Sequence, residues 1–293
     1  MQEYNVVVET KPGTFEEVLA TDDMTLQQLA EECQKNYRDR IVLANVNGRL
    51  RELNKKVTDG AIVSFLNMTE RDGKRTYRRS VTLLLQKAVD NLWGDSVHVR
   101  VFYSLGEGYY CELENDSIDD EKLAAIKSEM QRLVELNLPI EKNSVKTEEA
   151  EHRFRDRGMK DKERLLHYRR SSRVNLYSLD GMEDYFYGYM VSSTGYLGVF
   201  DLQLYEDGFV LLFPNKDGSK VEPLNTSNKL YHTLKQSREW SRMLGVGTIG
   251  ALNDAIAAGK GEQIVLLQEA LMEERIGALA AQIAERGNVK FVM

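Results

Sequence analysis

The chain has 293 residues, of which 42% are hydrophobic and 29% charged, a balance that supports a folded core and excludes an intrinsically disordered chain. Its 39 basic and 46 acidic residues give a net charge of −7, which argues against a protein that is basic over its whole surface. The two cysteines, Cys33 and Cys111, are too few for a disulfide framework or a cysteine-rich zinc module. No basic start with an apolar run and no stretch of ~18 apolar residues occurs, so we expect a soluble, cytoplasmic protein without a membrane span.

Residues 1–68 predict a small mixed module. Thr25 and Gln28 form the pattern of a capping box, which predicts the start of a helix. The predicted elements are, in chain order, a strand at Tyr4–Glu9, a turn at Pro12-Gly13, a helix from Thr25 to about Asn36, a strand at Ile41–Val46, a tight turn at Asn47-Gly48, a returning strand from Leu50 and a strand at Ala61–Leu66. This order within 70 residues is typical of a β-grasp-like fold.

The middle of the chain predicts a mixed α+β region with an antiparallel sheet. A polar stretch at Thr69–Thr76 precedes it, and Ser117 with Asp120 predicts the cap of its second helix. The predicted elements are a helix at Arg78–Trp93, paired strands at Val97–Val101 and Tyr109–Leu113, a helix that ends near Pro139, and strands at Arg173–Tyr177, Tyr196–Tyr205 and Phe209–Pro214.

The last part of the chain, from about Leu230, predicts helices, and Val289–Met293 is strand-like. Gly245–Gly250 satisfies G-x-G-x-x-G, but a dinucleotide-binding loop must follow a strand and the preceding residues read as helix. We therefore expect a helix–helix turn there. The overall fold class that we predict is α+β with a helical tail.

Conventional catalytic and metal-binding patterns are weak. The histidines His98, His152, His167 and His232 are far apart, and zinc ligands normally occur in closely spaced pairs. No G-x-S-x-G elbow is present, and nothing in the sequence marks either cysteine as a reactive thiolate. We expect no metal and no catalytic residue.

Charge and aromatic patterns offer binding candidates. Residues 153–173 hold nine Lys or Arg against three acids, which is typical either of a solvated helix face or of a site for a polyanion such as RNA or a nucleotide. The candidate polyanion-binding residues are Arg153, Arg155, Arg157, Lys160, Arg169, Arg170 and Arg173. The aromatic run Tyr185, Phe186, Tyr187, Tyr189 could stack on bases or fill a core.

Several segments resemble the N-terminal half of threonyl-tRNA synthetases in their order and spacing. They are Gly108–Leu113, Leu138–Glu141, Thr147–Ala150, Phe154 and Lys160. The first module resembles the TGS domain of that family, and the second resembles its editing domain, which aminoacyl-tRNA deacylases share. The resemblance covers roughly residues 1–215 and implies a TGS domain at 1–70 and an editing-like domain at 71–225.

The same resemblance implies a degenerate site. Such editing domains carry a His-x-x-x-His and a Cys-x-x-x-His, and this sequence has Arg79, Leu83, Phe186 and Met190 at the four positions. None of these can act as a zinc ligand or a proton shuttle at neutral pH. The cleft would instead bind a small anionic ligand through Arg79. Its other expected members are Ser80, Leu83, Tyr110, Phe186, Tyr187 and Met190.

The tail resembles uridine kinase-related proteins, in which TGS and editing-like domains precede a P-loop kinase. The matching segments are Arg238–Trp240, Leu244–Val246, Leu252–Asn253 and the helix to Arg286. The resemblance implies a helical linker at 226–288 and the first strand of a kinase domain at 289–293, with the rest of that domain beyond residue 293. ATP and Mg²⁺ would be bound only by that domain, which would also be this region's partner.

The resulting hypothesis is a non-catalytic region of a uridine kinase-like protein that binds RNA, a nucleotide or a small ligand and has a regulatory role. Two alternatives stay open. One is a divergent aminoacyl-tRNA editing deacylase, and the other is a TGS-type RNA-binding protein.

Overall fold

The computed structural model describes residues 2–226 and 228–287. They form two compact units, the first made of residues 2–145 and 173–226 and the second of residues 146–172 and 228–287. The predicted class is confirmed, because the first unit is α+β with antiparallel strand pairs and the C-terminal part is helical. The strand predicted at residues 289–293 lies outside the described residues. The domain boundaries at residues 70 and 225 stay predictions.

The first module, residues 2–67, is a five-stranded mixed sheet with one helix. Its elements are β1 (Glu3–Lys11), β2 (Thr14–Thr21), α1 (Leu26–Cys33), a 3₁₀ turn (Gln34–Asn36), β3 (Ile41–Val46), β4 (Arg49–Arg51) and β5 (Ile62–Asn67). The strand order is β2-β1-β5-β3-β4, with β1 and β5 parallel and the other pairs antiparallel. This agrees with the β-grasp-like order expected from the sequence.

The capping box of α1 forms as predicted. The Thr25 hydroxyl accepts a hydrogen bond from the backbone N–H of Gln28 (3.3 Å), and the Gln28 side chain accepts one from the N–H of Thr25 (2.8 Å). Strand β2 was not expected. Its acidic pair Glu16–Glu17 disfavours a strand, but pairing with β1 at the sheet edge overrides that weak preference.

The second module, residues 71–145 and 173–226, surrounds a long helix. Its elements are α2 (Arg71–Trp93), a 3₁₀ turn (Gly94–Ser96), β6 (His98–Leu105), β7 (Gly108–Glu114), α3 (Asp120–Glu135), β8 (Ile140–Lys146), β9 (Arg173–Leu179), β10 (Met182–Tyr185), a 3₁₀ turn (Thr194–Tyr196), β11 (Asp201–Tyr205) and β12 (Gly208–Leu212). The strands form a four-stranded sheet of order β11-β12-β7-β6 and a three-stranded sheet of order β10-β9-β8.

Three predicted boundaries in this module were wrong. Helix α2 begins at Arg71 rather than near Arg78 and includes most of the polar stretch predicted to precede it, because Gly73 and Tyr77 are buried on its inner face. The cap of α3 is Asp119, whose carboxylate accepts from the N–H of Lys122 (2.8 Å), rather than Ser117. The strand predicted at 196–205 is confined to β11.

One apolar core is continuous through both modules. Val42 of β3, Leu83 of α2, Cys111 of β7, Met130 of α3 and Phe209 of β12 belong to it, and each is fully buried. Burying one such side chain contributes roughly 1.5–3 kcal/mol. The two modules are therefore packed together as one body.

The second unit is helical. It contains α4 (Thr147–Asp156), α5 (Lys160–His167), α6 (Asn228–Met243), α7 (Ile249–Ala257) and α8 (Gly261–Arg286). Gly250 packs so closely on Arg164 that an added Cβ would overlap the Cβ of Arg164. The glycine-rich segment at 245–250 lies between α6 and α7, as predicted, and Thr248 caps α7. Within the described residues, no helix has the length and apolar character needed to cross a lipid bilayer.

Candidate functional site

A buried carboxylate lies where the first module meets the second. Glu52, directly after β4, is only 3% exposed. Its Oε1 accepts hydrogen bonds from the Tyr177 hydroxyl (2.5 Å) and the backbone N–H of Met190 (3.2 Å), and lies 3.4 Å from Nζ of Lys142. Burial of a charge is costly unless donors surround it, and here three donors do so. We call Glu52, Arg79, Lys142, Tyr177 and Tyr189 the Glu52 cluster.

The aromatic rings of the cluster lie against Lys142. The Lys142 ammonium of β8 lies 5.3 Å from the ring centre of Tyr177 and 5.0 Å from that of Tyr189. The Tyr177 hydroxyl is also 2.5 Å from the backbone oxygen of Gly188, so its single proton faces two acceptors. Burial, and then the neighbouring charge of Glu52, raise the pKa of Tyr177, which keeps its phenol neutral.

Arg79 of α2 brings a cation without an acidic partner to this cluster. Its Nη1 donates to the backbone oxygen of Tyr189 (2.5 Å). Burial lowers the pKa of Arg79, while nearby Tyr177 and Tyr109 oppose that shift. Among residues 2–226 and 228–287, no carboxylate lies within ion-pair distance of it. Because a guanidinium has five N–H donors, Arg79 retains donors for a ligand.

Gly188 allows the guanidinium of Arg79 to approach the backbone. A Cβ on Gly188 would overlap the guanidinium atoms of Arg79, and the φ of Gly188 is +133°, a conformation that only glycine adopts readily. The loop after β10 is therefore shaped around Arg79. A larger residue at position 188 would displace either the loop or the cation.

Two other predicted residues lie beside Arg79 but serve to hold the loop. Ser80 is fully buried, donates to the backbone oxygen of Thr76 (2.9 Å) and accepts from the N–H of Val191 (3.0 Å). The sulfur of Met190 lies 3.4 Å from the Ser80 hydroxyl. Their contacts join α2 to the segment that carries the backbone oxygens of the site.

The remaining predicted cleft residues are spread over different environments. Leu83 is fully buried in the core, and Phe186 is partly buried and packs against that core. Tyr187 is 81% exposed. Tyr110 is not part of the Glu52 cluster: its ring stacks on Tyr103 at 5.1 Å. Successive side chains of a strand point to opposite faces, and it is the adjacent Tyr109 that influences the pKa of Arg79.

Sequence analysis missed most of the Glu52 cluster. Glu52, Lys142 and Tyr177 come from segments 90 and 125 residues apart in the chain, so no spacing could relate them. Two members had been singled out: Arg79, through the resemblance to editing domains, and Tyr189, as part of the aromatic run. The only local hint of a buried acid was that Glu52 stands next to an apolar residue, Leu53, which the structure buries as well.

Most cations of the basic stretch at 153–173 have partners. Arg153 pairs with Glu149 (2.6 Å), and Arg155 pairs with Glu163 (2.6 Å) and Glu151 (3.0 Å). These two pairs with residues 149 and 151 are i,i+4 contacts along α4. They are the contacts expected of a solvated helix face.

The other candidates in this stretch differ among themselves. Arg157 and Arg169 are also engaged in interactions. Lys160 and Arg170 are exposed, and neither has an ion pair among the described residues. Arg173 belongs to the first unit and donates to the Ser144 hydroxyl (3.1 Å). Polyanion binding by the whole set stays a prediction.

The cysteines and acids offer no metal site in the described part of the chain. No group of three His, Cys, Asp or Glu residues there could hold a metal ion. Burial raises the pKa of Cys111 and that of Cys33, so both thiols stay protonated at neutral pH.

Comparison with known proteins relates the chain to tRNA-charging enzymes. No protein-family model matches it. It is 29% identical to the threonine–tRNA ligase of Syntrophotalea carbinolica over 163 residues, which is 55% of this chain and 26% of the relative. It is 28% identical to that of Thermotoga maritima over 162 residues, 54% of this chain and 25% of the relative. Threonine–tRNA ligase 2 of Bacillus subtilis is 27% identical over 181 residues, 61% of this chain and 28% of the relative.

About half of this chain is thus similar to threonine–tRNA ligases, and it spans about a quarter of the length of these relatives. This supports the resemblance predicted for the TGS and editing-like region. The relation to uridine kinases, predicted from the tail, finds no support in these comparisons.

Proposed function

We propose that this chain binds tRNA without hydrolysing an aminoacyl ester on it, with one nucleotide held at Arg79 and Tyr187. The observation that carries the proposal is the half-buried Arg79 guanidinium, which has no acidic partner among the described residues. The similarity to threonine–tRNA ligases suggests tRNA as the class of RNA. The uridine kinase relation is not part of this proposal.

The chemistry of the site suits a nucleotide. A guanidinium with spare donors can hold two phosphate oxygens at once, which a lysine ammonium does less specifically. Tyr187 adjoins Gly188, against which Arg79 packs, and its ring is 81% exposed. An exposed aromatic ring beside a cation allows a base to stack while its phosphate is bound.

Binding fits the Glu52 cluster better than hydrolysis does. A hydrolytic site needs a nucleophile or water next to a base, and no histidine belongs to this cluster. The carboxylate of Glu52 is occupied by three donors. The Ser80 hydroxyl, next to Arg79, contacts a backbone oxygen, a backbone N–H and a thioether, none of which is a base.

Two substitutions test the proposal by fluorescence anisotropy with a tRNA transcript. Arg79→Gln removes the charge and should weaken binding by about 10- to 100-fold, since hydrogen bonds to charged groups contribute roughly 1.5–3 kcal/mol. Tyr187→Ala should weaken it by a similar factor, because stacking contributes about 1–3 kcal/mol per base. Tyr187→Phe keeps the ring and is the matched control, expected to bind within about twofold of the unchanged protein.

Unchanged affinity in both Arg79→Gln and Tyr187→Ala would overturn the proposal. Incubation with mischarged tRNA separates it from the deacylase alternative. Release of the amino acid by the unchanged protein, lost in Arg79→Gln, would show a hydrolytic site instead.

A further inference from the structure

A second cation-rich site lies on the first module, and none of its residues was among the binding candidates of the sequence analysis. It is a groove of about 670 Å³ formed by the β3–β4 hairpin, the start of α1 and the segment before β5. We call it the β4 groove. Its lining residues are Leu26, Val46, Asn47, Arg49, Arg51, Lys55, Lys56 and Thr58.

The floor and rim of the β4 groove differ in character. Leu26 is buried and Val46 partly buried, so the floor is apolar. Arg49 and Arg51 are two residues apart on edge strand β4, where alternation puts them on one face. Lys55 and Lys56 supply two more exposed cations from the following loop.

The positive charge of the groove is not compensated. None of its four cations has an ion pair within the described part of the chain. Lys56 lies near enough to Asp23 to influence it, but the pKa of Asp23 is lowered chiefly by a hydrogen bond from Thr21. Four neighbouring cations repel one another, and an anionic ligand relieves that repulsion.

The local acid that could neutralise the groove points elsewhere. Between residues 47 and 58 the chain has one acidic residue, Glu52. Its carboxylate is taken up by Tyr177, Lys142 and the N–H of Met190 in the Glu52 cluster. The same fold that buries this acid therefore leaves the four cations of its segment to the solvent.

We propose that the β4 groove binds the phosphate backbone of single-stranded RNA, as a contact separate from the Arg79 site. Several cations on two segments can neutralise several phosphates at once, which a chain of nucleotides offers and a single phosphate does not. The apolar floor accepts a ribose or base edge between them. This surface does not depend on the nucleotide proposed for Arg79 and Tyr187.

The test uses paired neutralising variants and a 12-nucleotide single-stranded RNA. The groove variants are Arg49→Gln with Arg51→Gln, and Lys55→Gln with Lys56→Gln; the matched control is Arg153→Gln with Arg155→Gln. Affinity is measured by anisotropy between about 50 and 300 mM KCl, and thermal unfolding verifies that each variant is folded. Each groove pair should weaken binding by about tenfold at 100 mM salt. Each should also reduce the slope of log K against log salt by about 1.4, since one phosphate contact contributes roughly 0.7.

Three outcomes would overturn the proposal. The first is an unchanged affinity and slope in both groove pairs. The second is an equal loss in the control pair, which would indicate a general effect of net charge. The third is binding of ATP or inorganic tripolyphosphate as tightly as RNA, which would make a free polyphosphate the ligand. A loss in the groove pairs while Arg79→Gln and Tyr187→Ala bind normally would reject the Arg79 site and retain the groove.

Discussion

The β4 groove and the basic stretch at residues 153–173 carry similar charge but differ in what surrounds it. In the stretch, Arg153 and Arg155 are paired with glutamates of the same helical region. In the groove, the cations have no ion pairs among the described residues, and the nearby acid Glu52 is buried in another site. A ligand that binds Arg153 or Arg155 must compete with their glutamates, whereas one that binds the groove cations competes with no ion-pair partner among the described residues.

The difference shows why counting charges in a sequence window misleads. The window 153–173 excludes Glu149 and Glu151, which lie one helical turn before the arginines they pair with. The segment 49–56 looks unremarkable because it is short and includes an acid. What decides whether a cation can bind a polyanion is the position of the nearest carboxylate in space.

The largest expected effect compares the acids of the two regions. Glu52→Ala should lower the free energy of unfolding by about 3 kcal/mol, because it leaves Lys142 and the Tyr177 hydroxyl without their buried acceptor. Glu151→Ala removes contacts with Arg155 (3.0 Å) and His167 (3.4 Å), whose own side chains are largely exposed, and should cost less than about 1 kcal/mol.

Urea unfolding can report on each unit separately, because Trp93 lies in the first unit and Trp240 in the second. The Trp240→Phe background leaves Trp93 as the only tryptophan and reports on the first unit. The Trp93→Phe background leaves Trp240 and reports on the second unit. Equal destabilisation by Glu52→Ala and Glu151→Ala would show that burial of Glu52 is not the distinguishing feature.

An intermediate effect is expected from charge reversal. Arg155→Glu places an acid beside Glu151 and Glu163 and should destabilise the second unit by about 1 kcal/mol. Lys55 has no ion pair among the described residues, so Lys55→Glu breaks none and should change the free energy of unfolding by less than about 0.5 kcal/mol. The measurement is urea unfolding with the two tryptophan backgrounds. If Lys55→Glu destabilised the protein and Arg155→Glu did not, the contrast between unpaired Lys55 and paired Arg155 would be wrong.

The smallest effect concerns the exposed cations of the basic stretch. Replacing Lys160 and Arg170 together by glutamine should change affinity for the 12-nucleotide RNA by less than about twofold, with a slope change below about 0.3. Salt-dependent anisotropy, alongside the groove pairs, is the measurement. A slope reduction of about 1.4 would mean that the stretch binds RNA as well, and the contrast between the two regions would disappear.

Local signals accounted for the parts of the fold that were predicted correctly. The capping box at Thr25 and the Asn47-Gly48 turn are decided by neighbouring residues, and both form as expected. Long-range packing decided the rest. Helix α2 extends to Arg71 because Gly73 packs against Asn67, a contact that propensity cannot indicate.

The same distinction between local signals and long-range packing applies to the candidate sites. Arg79 was identified because a resemblance pointed to its position in the chain. Glu52, Lys142 and Tyr177 of the cluster, and the β4 groove, were missed because each depends on which side chain a distant strand or loop brings near. The prediction named Tyr110, whereas its neighbour Tyr109 is the tyrosine of β7 that influences Arg79. Within a strand, a shift of one residue moves the side chain to the opposite face of the sheet.

The position of Glu52 has a consequence for cooperativity. A fragment ending near residue 70 would keep this acid but lose Lys142, Tyr177 and the N–H of Met190, and with them much of the shared core. The first module would then gain little free energy from folding without the second. The junction between the modules is a boundary in the chain but not in free energy, and residues 2–145 and 173–226 should unfold in a single transition.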